Sequence, residues 1–235
     1  MRRRKQKQVS FVYVSHGGAR PGAGRKPKGE KAGVPHETRE RFAARHPVLV
    51  TLKVKREIWS LRGRRLATRL WEIIRKANAR GGVRIVHFSF QRDHIHMLVE
   101  ADDAEMLARG MQGLCVRIAR MVNRVMRRKG AVFADRYHSR ALRSPRAVRN
   151  AIAYVLGNAR RHGVAPDDPR WADPLSSGIF FTGWNVAVHT TLSMLPSRDS
   201  PAEPPETWLL SVGWRRAGGR LDPARRPGPP AKKAA

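Results

Sequence analysis

His94-Ile95-His96 sets two imidazoles two residues apart, and Tyr154 stands four residues ahead of Asn158. On an extended chain both histidines project from one face, about 7 Å apart along the backbone, close enough for their rings to converge on one divalent ion. With nine histidines in the chain such a pair also arises from composition alone, so two polar residues on a strand surface remain the alternative. A tyrosine offers different chemistry. Its phenol can attack an electrophile, but with an ordinary pKa near 10 it needs help to react at neutral pH.

The elements that must position these groups follow from periodicity. Residues 94–100 alternate, with His94, His96 and Leu98 on one face and Ile95, Met97 and Val99 on the other. Residues 83–90 also alternate, which puts Val86, Phe88 and Phe90 together and Ile85, His87 and Ser89 opposite. Gln91-Arg92-Asp93 closes the two into an antiparallel hairpin. A strand over 47–54 comes earlier, then a helix over 64–80 ended by Gly81-Gly82. The spacing predicts a second helix over 103–128, a strand near 138–143, and a third helix opened by Ser144-Pro145. In that third helix Val148, Ile152, Val155, Leu156 and Ala159 form the apolar side, and Tyr154 and Asn158 lie off it. Tyr154 is thus not needed for its own helix's core stripe.

Charge restricts the partner. The net charge of +30 over 235 residues attracts polyanions, and 37 of the 48 basic residues are arginine, whose planar fork suits phosphates and base edges. On the 103–128 helix Arg109, Arg117, Arg120, Arg124, Arg127 and Arg128 fall within one arc; phosphate contact is the expectation, a solvated face the alternative. No apolar run is long enough to span a membrane, and one cysteine, Cys115, excludes an internal disulfide or a cysteine-rich zinc site. A cytoplasmic, nucleoid-associated protein is expected. The chain divides into a basic arm over 1–46, a core domain over 47–163 and a Pro-rich basic extension over 164–235, with its last twenty residues a disordered tail. The glycine-rich run 17–29 lacks the Gly-Lys-Ser/Thr ending of a nucleotide P-loop and suits a flexible basic arm that tracks a DNA backbone or enters a minor groove, a disordered solvated tail being the alternative. The tryptophans of the extension could cap the core or stack on bases.

The order strand, helix, hairpin with His94-Ile95-His96, long helix, strand, and helix with the run Tyr154 to Gly163 resembles the IS200-type single-tyrosine transposases and the REP-associated tyrosine transposases, members of the HUH endonucleases. The resemblance spans about 47–163 and departs at Arg92-Asp93, usually Pro-Asn, and at Ala159, usually proline. It implies an α+β fold, a ferredoxin-like βαββαβ core with an antiparallel sheet and one further helix. It also implies that Tyr154 attacks a phosphodiester to give a 5′-phosphotyrosine, that His94, His96 and Asn158 hold Mg²⁺ or Mn²⁺, and that the substrate is single-stranded or hairpin DNA bound by a homodimer. Arg136, Arg140, Arg160 and Arg161 join the helix stripe as phosphate contacts. His87, on the face of the pair, and His138 are candidates for supporting or substrate contacts. A domesticated or inactive relative that binds palindromic repeats without strand transfer is the competing reading.

Overall fold

The structure, a computed structural model, describes residues 41–226; the expected N-terminal arm, apart from 41–46, and residues 227–235 lie outside them. β1 (Val48–Lys53), α1 (Arg64–Asn78), β2 (Arg84–Phe90), β3 (His94–Glu100), α2 (Ala104–Val125) and β4 (His138–Ala141) form the expected ferredoxin-like core. The four strands make one sheet in the order β2-β3-β1-β4, each neighbouring pair antiparallel. α3 (Pro145–Leu156) is the further helix, and the short α4 (Asn158–Arg161) follows at Gly157.

Each face of the sheet has its own core. Val48, Val50, Leu52, Ile95, Met97 and Val99 point to the face that α1 and α2 cover with Leu66, Leu70, Trp71, Met111, Leu114 and Ile118. Leu98 and Val86 point to the other face, beneath Val148, Ile152, Val155 and Leu156 of α3. The caps are those the sequence carries: the Asp103 carboxylate accepts from the Glu105 and Met106 amides, and Ser144 Oγ accepts from the Ala147 amide at 3.2 Å.

The alternation expected for β2 is broken. A bulge between Ile85 and His87 gives the strand one extra residue, so Val86 turns to the α3 face while Ile85 joins Phe88 and Phe90 beneath α1 and α2. His87 still pairs with Leu98 and shares the face of His94 and His96.

Residues 164–226 are packed into the second core rather than hung from it. Trp184, Leu210, Trp214 and Leu221 are buried beside α3, so those tryptophans cap the core; Trp208 is exposed. The segment is fastened elsewhere by a buried bidentate pair between Arg62 and Asp173, at 2.8 and 2.9 Å, and by Glu100, whose carboxylate accepts from the Glu206 and Thr207 amides. Within the tail expected to be disordered, residues 216–226 are instead ordered: Leu221 bridges to Trp184, and burial of that pair offsets the entropy of fixing the chain. At Gly183 a Cβ would sit 2.3 Å from Phe181 and 2.7 Å from Trp214, so only glycine lets these rings close.

The same segment buries His87, whose ring meets Phe181 edge-on at 5.3 Å and whose Nδ1 lies 3.3 Å from Ser177 Oγ. Burial pushes its pKa down to about 4. As the pH falls, the unfolded imidazole takes up its proton near 6.5, well before the folded one does. Stability is thus full above pH 7, declines between about 6.5 and 4, and levels below. From pH 7.5 to 4.5 this one group should remove about 2–3 kcal/mol. Urea titrations at the two pH values should show a loss smaller by that amount in His87→Leu; equal losses in both proteins would contradict the assignment.

Candidate active site

Three elements converge on the α3 face of the sheet. β3 presents His94 and His96 with ring centroids 4.6 Å apart, and β1 presents Thr51, opposite His96 in the ladder. α3 presents Tyr154, half-buried, its hydroxyl 3.2 Å from His96 Nε2 of the same chain. The helix places Tyr154 to the side of its buried stripe, so the ring edge packs on the core while the hydroxyl reaches over β3.

His94 has one ring nitrogen engaged by a neighbour and His96 has both. His94 Nδ1 lies 2.8 Å from the Asp93 carboxylate, which favours the proton there and leaves the Nε2 lone pair outward. Burial works against the Asp93 charge, but the bond to His94, with the charges of His94 and Lys53, holds its pKa below the usual value. His96 Nδ1 lies 3.0 Å from Thr51 Oγ1; with the proton on Nδ1, His96 Nε2 accepts from the Tyr154 hydroxyl. Burial, followed by the charges of His94, His162 and Arg161, pushes the His96 pKa down to about 3. So weak a base is a poor acceptor for a phenol's proton. The lone pair stays neutral, and a cation would take it only in place of the Tyr154 hydrogen bond.

Asn158 is fully buried, and neither its Oδ1 nor its Nδ2 has a hydrogen-bond partner. It does not continue the tyrosine helix as expected, because α3 ends at Leu156 and α4 starts afresh at Asn158. An orphaned buried amide costs roughly 1–3 kcal/mol, which is tolerated where it serves a ligand. Among the described residues no three His, Cys, Asp or Glu side chains cluster as a metal site. The two imidazoles, 4.6 Å apart ring to ring, suit one Mg²⁺ or Mn²⁺ that DNA oxygens would complete once Tyr154 releases the His96 nitrogen; the Asn158 amide is hydrogen-bonded to neither ring.

Two contributors had not been picked out from sequence. His162 stands 5.1 Å, ring to ring, from His94; its pKa is lowered by desolvation, then by the charges of His94 and Arg161. Its signal was its place in the run that begins at Tyr154. Thr51, inside an apolar strand, gave no signal; only the ladder register pairs it with His96.

The proposed phosphate contacts separate. Arg161 has its guanidinium carbon 5.6 Å from the centre of the Tyr154 ring, and Arg140, opposite Leu49 on β4, lies on the tyrosine face with exposed His138 two residues before it. Arg136 is exposed just before β4. Arg109, Arg117, Arg120 and Arg124 ride on α2, with Arg127 and Arg128 just beyond its end, on the opposite side of the sheet. Nor is that stripe free of acids: Arg109 pairs with Glu105 at 2.7 Å and Arg128 with Glu57 at 3.8 Å. Arg117 is pulled into partial burial, which lowers its pKa together with the charge of Arg80. Arg160 is spent otherwise, on the carbonyls of Asp168, Trp171 and Pro223, and is not presented to a phosphate.

The model of the family described as "Transposase IS200 like" matches residues 43–156, a span that holds the whole sheet, the histidine pair and Tyr154. This segment belongs to the IS200-like transposase family. The transposase segment ends at the last residue of α3, so α4 and the extension lie beyond the match. Its fold is similar to that of a REP-associated tyrosine transposase solved bound to a REP hairpin (TM-score 0.45, 15% identity, 56% of this chain and 76% of that one). It is also similar to a Deinococcus radiodurans protein described as a transposase (TM-score 0.35, 15% identity, 46% and 85%). No curated protein matches the chain. Among the described residues no helix is long and apolar enough to cross a membrane.

Proposed function

We propose that the protein cleaves and rejoins single-stranded DNA through a covalent link to Tyr154. The observation that carries this reading is the Tyr154 hydroxyl 3.2 Å from His96, beside the ring of His94, within a segment of the IS200-like transposase family. The phenol oxygen bonds to phosphorus, the P–O3′ bond breaks, and the phenol proton is exchanged through solvent for the one the 3′-hydroxyl gains. The phosphotyrosine keeps the bond energy, so a second 3′-hydroxyl can reverse the attack and join strands.

His94, His96 and the Asn158 amide would hold Mg²⁺ or Mn²⁺, which when bound polarises the phosphate and steadies the departing oxygen. The chain's own groups do the rest. Thr51 and Asp93 fix the two ring orientations, the sheet core keeps water from the rear of the site, and Arg161 and Arg140 offer cationic contacts for the strand on the tyrosine face. A hairpin foot is the expected substrate form. The test is to incubate the protein with labelled hairpin DNA carrying a single-stranded flank and Mn²⁺, then to run denaturing electrophoresis: a protein-linked band is expected, and free nicked product without it indicates hydrolysis by water.

The α2 arginines are assigned to affinity rather than chemistry, because they lie on the far side of the sheet. Arg120→Ala with Arg124→Ala should flatten the dependence of log K on log salt by about 0.7 to 0.9 per residue and leave cleavage at saturating DNA unchanged. A fall in the saturated rate would place DNA on α2 within reach of the reacting centre.

A further inference from the structure

We propose that residues 164–226 are a brace for the tyrosine helix, and that Arg149 and Arg160 are positioning residues for the reaction at Tyr154. This rests on Tyr154 being the nucleophile. α3 is a 12-residue helix, too short to hold its place by its own hydrogen bonds, so the direction of Tyr154 depends on what packs around it. The sheet supplies one side through Leu98, and the extension supplies another through Trp214 and Leu221.

The polar fastenings bracket the nucleophile. Arg149, five residues before Tyr154, donates to the carbonyls of Gly218 at 3.1 Å, Arg220 at 3.2 Å and Gly219 at 3.4 Å. Arg160, six residues after it, donates to the carbonyls of Pro223 at 2.7 Å, Trp171 at 3.0 Å and Asp168. Both guanidinium groups thus tie the flanks of Tyr154 to the same stretch, 218–223, and Arg160 also ties them to 168–171. A planar fork holding three carbonyls fixes direction as well as distance, which a flexible ammonium does not. The result is a hydroxyl held over His96 of its own chain. Because a misplacement of about 1 Å can cost on the order of a hundredfold in rate, slack in the brace should appear in the chemical step.

The test is single-turnover adduct formation at saturating single-stranded DNA, with DNA affinity measured separately. Arg160→Ala should slow the saturated rate at least tenfold and change the dissociation constant less than twofold, and Arg160→Lys should recover only part of the loss. Should Arg160→Ala fail to fold, Arg149→Ala, whose bonds are exposed, carries the test with an expected loss of threefold or more. A mixture of Tyr154→Phe and His96→Ala chains should give no adduct, since each tyrosine is tied to its own histidines. Unchanged saturated rates in the arginine variants, or an adduct restored by mixing, would overturn the brace while leaving the nucleophile in place. A wild-type protein that forms no adduct overturns the nucleophile, and the brace with it.

Discussion

Tyr154→Phe should abolish the covalent protein–DNA species and lower strand cleavage by on the order of 10³-fold or more, the scale on which removing a covalent nucleophile acts. The substitution deletes one oxygen and keeps the ring that packs against the second core. What is lost to stability is the single hydroxyl bond to His96, worth about 1 kcal/mol. The variant should therefore fold, melt near the wild-type temperature and bind DNA with unchanged salt dependence. Cleavage that persists in it would move the nucleophile to water or to another side chain.

The second large effect concerns the histidines. His94→Ala and His96→Ala should each slow cleavage by on the order of 10²-fold or more and weaken the binding of Mn²⁺ measured by calorimetry. The two variants should differ in stability. His96 is buried and bonded to both Thr51 and Tyr154, so its removal also frees the Tyr154 hydroxyl, whereas half-buried His94 loses only its bond to Asp93. DNA affinity should survive in both, because exposed arginines carry the charge that phosphates meet. Mn²⁺ binding that is intact in both variants would contradict the assignment of the pair as the cation's ligands.

Much of this site was legible in the chain. The strict alternation of residues 94–100 is faithful to the structure: Ile95, Met97 and Val99 are buried in the first core, and His94 and His96 face the other way. Ser144-Pro145 opens α3 as a capping serine before an N1 proline should, and the apolar stripe left Tyr154 to one side. What stayed hidden depends on non-local geometry. The bulge between Ile85 and His87 reverses two side chains, Ile85 and Val86, without any turn residue to announce it. Gly157 interrupts the helix, so Asn158 is buried in a new turn instead of lying one turn beyond the tyrosine on the same helix. The helical periodicity of α2 correctly separated a basic face from an apolar one, but no pattern within one helix says on which side of a sheet it will pack. Arg160 shows the same limit: its charge suggested DNA, and only the folded chain reveals three carbonyls around it.

The central claim is that the phenol of Tyr154 becomes bonded to a 5′-phosphate. Trapping the adduct on a hairpin oligonucleotide, digesting both protein and DNA, and sequencing the modified peptide by mass spectrometry tests it most directly. The peptide that contains Tyr154 should carry the mass of a 5′-phosphonucleotide on the tyrosine oxygen. A nucleotide found on any other residue, or a wild-type digest with no modified peptide under conditions that cleave the DNA, would contradict the account.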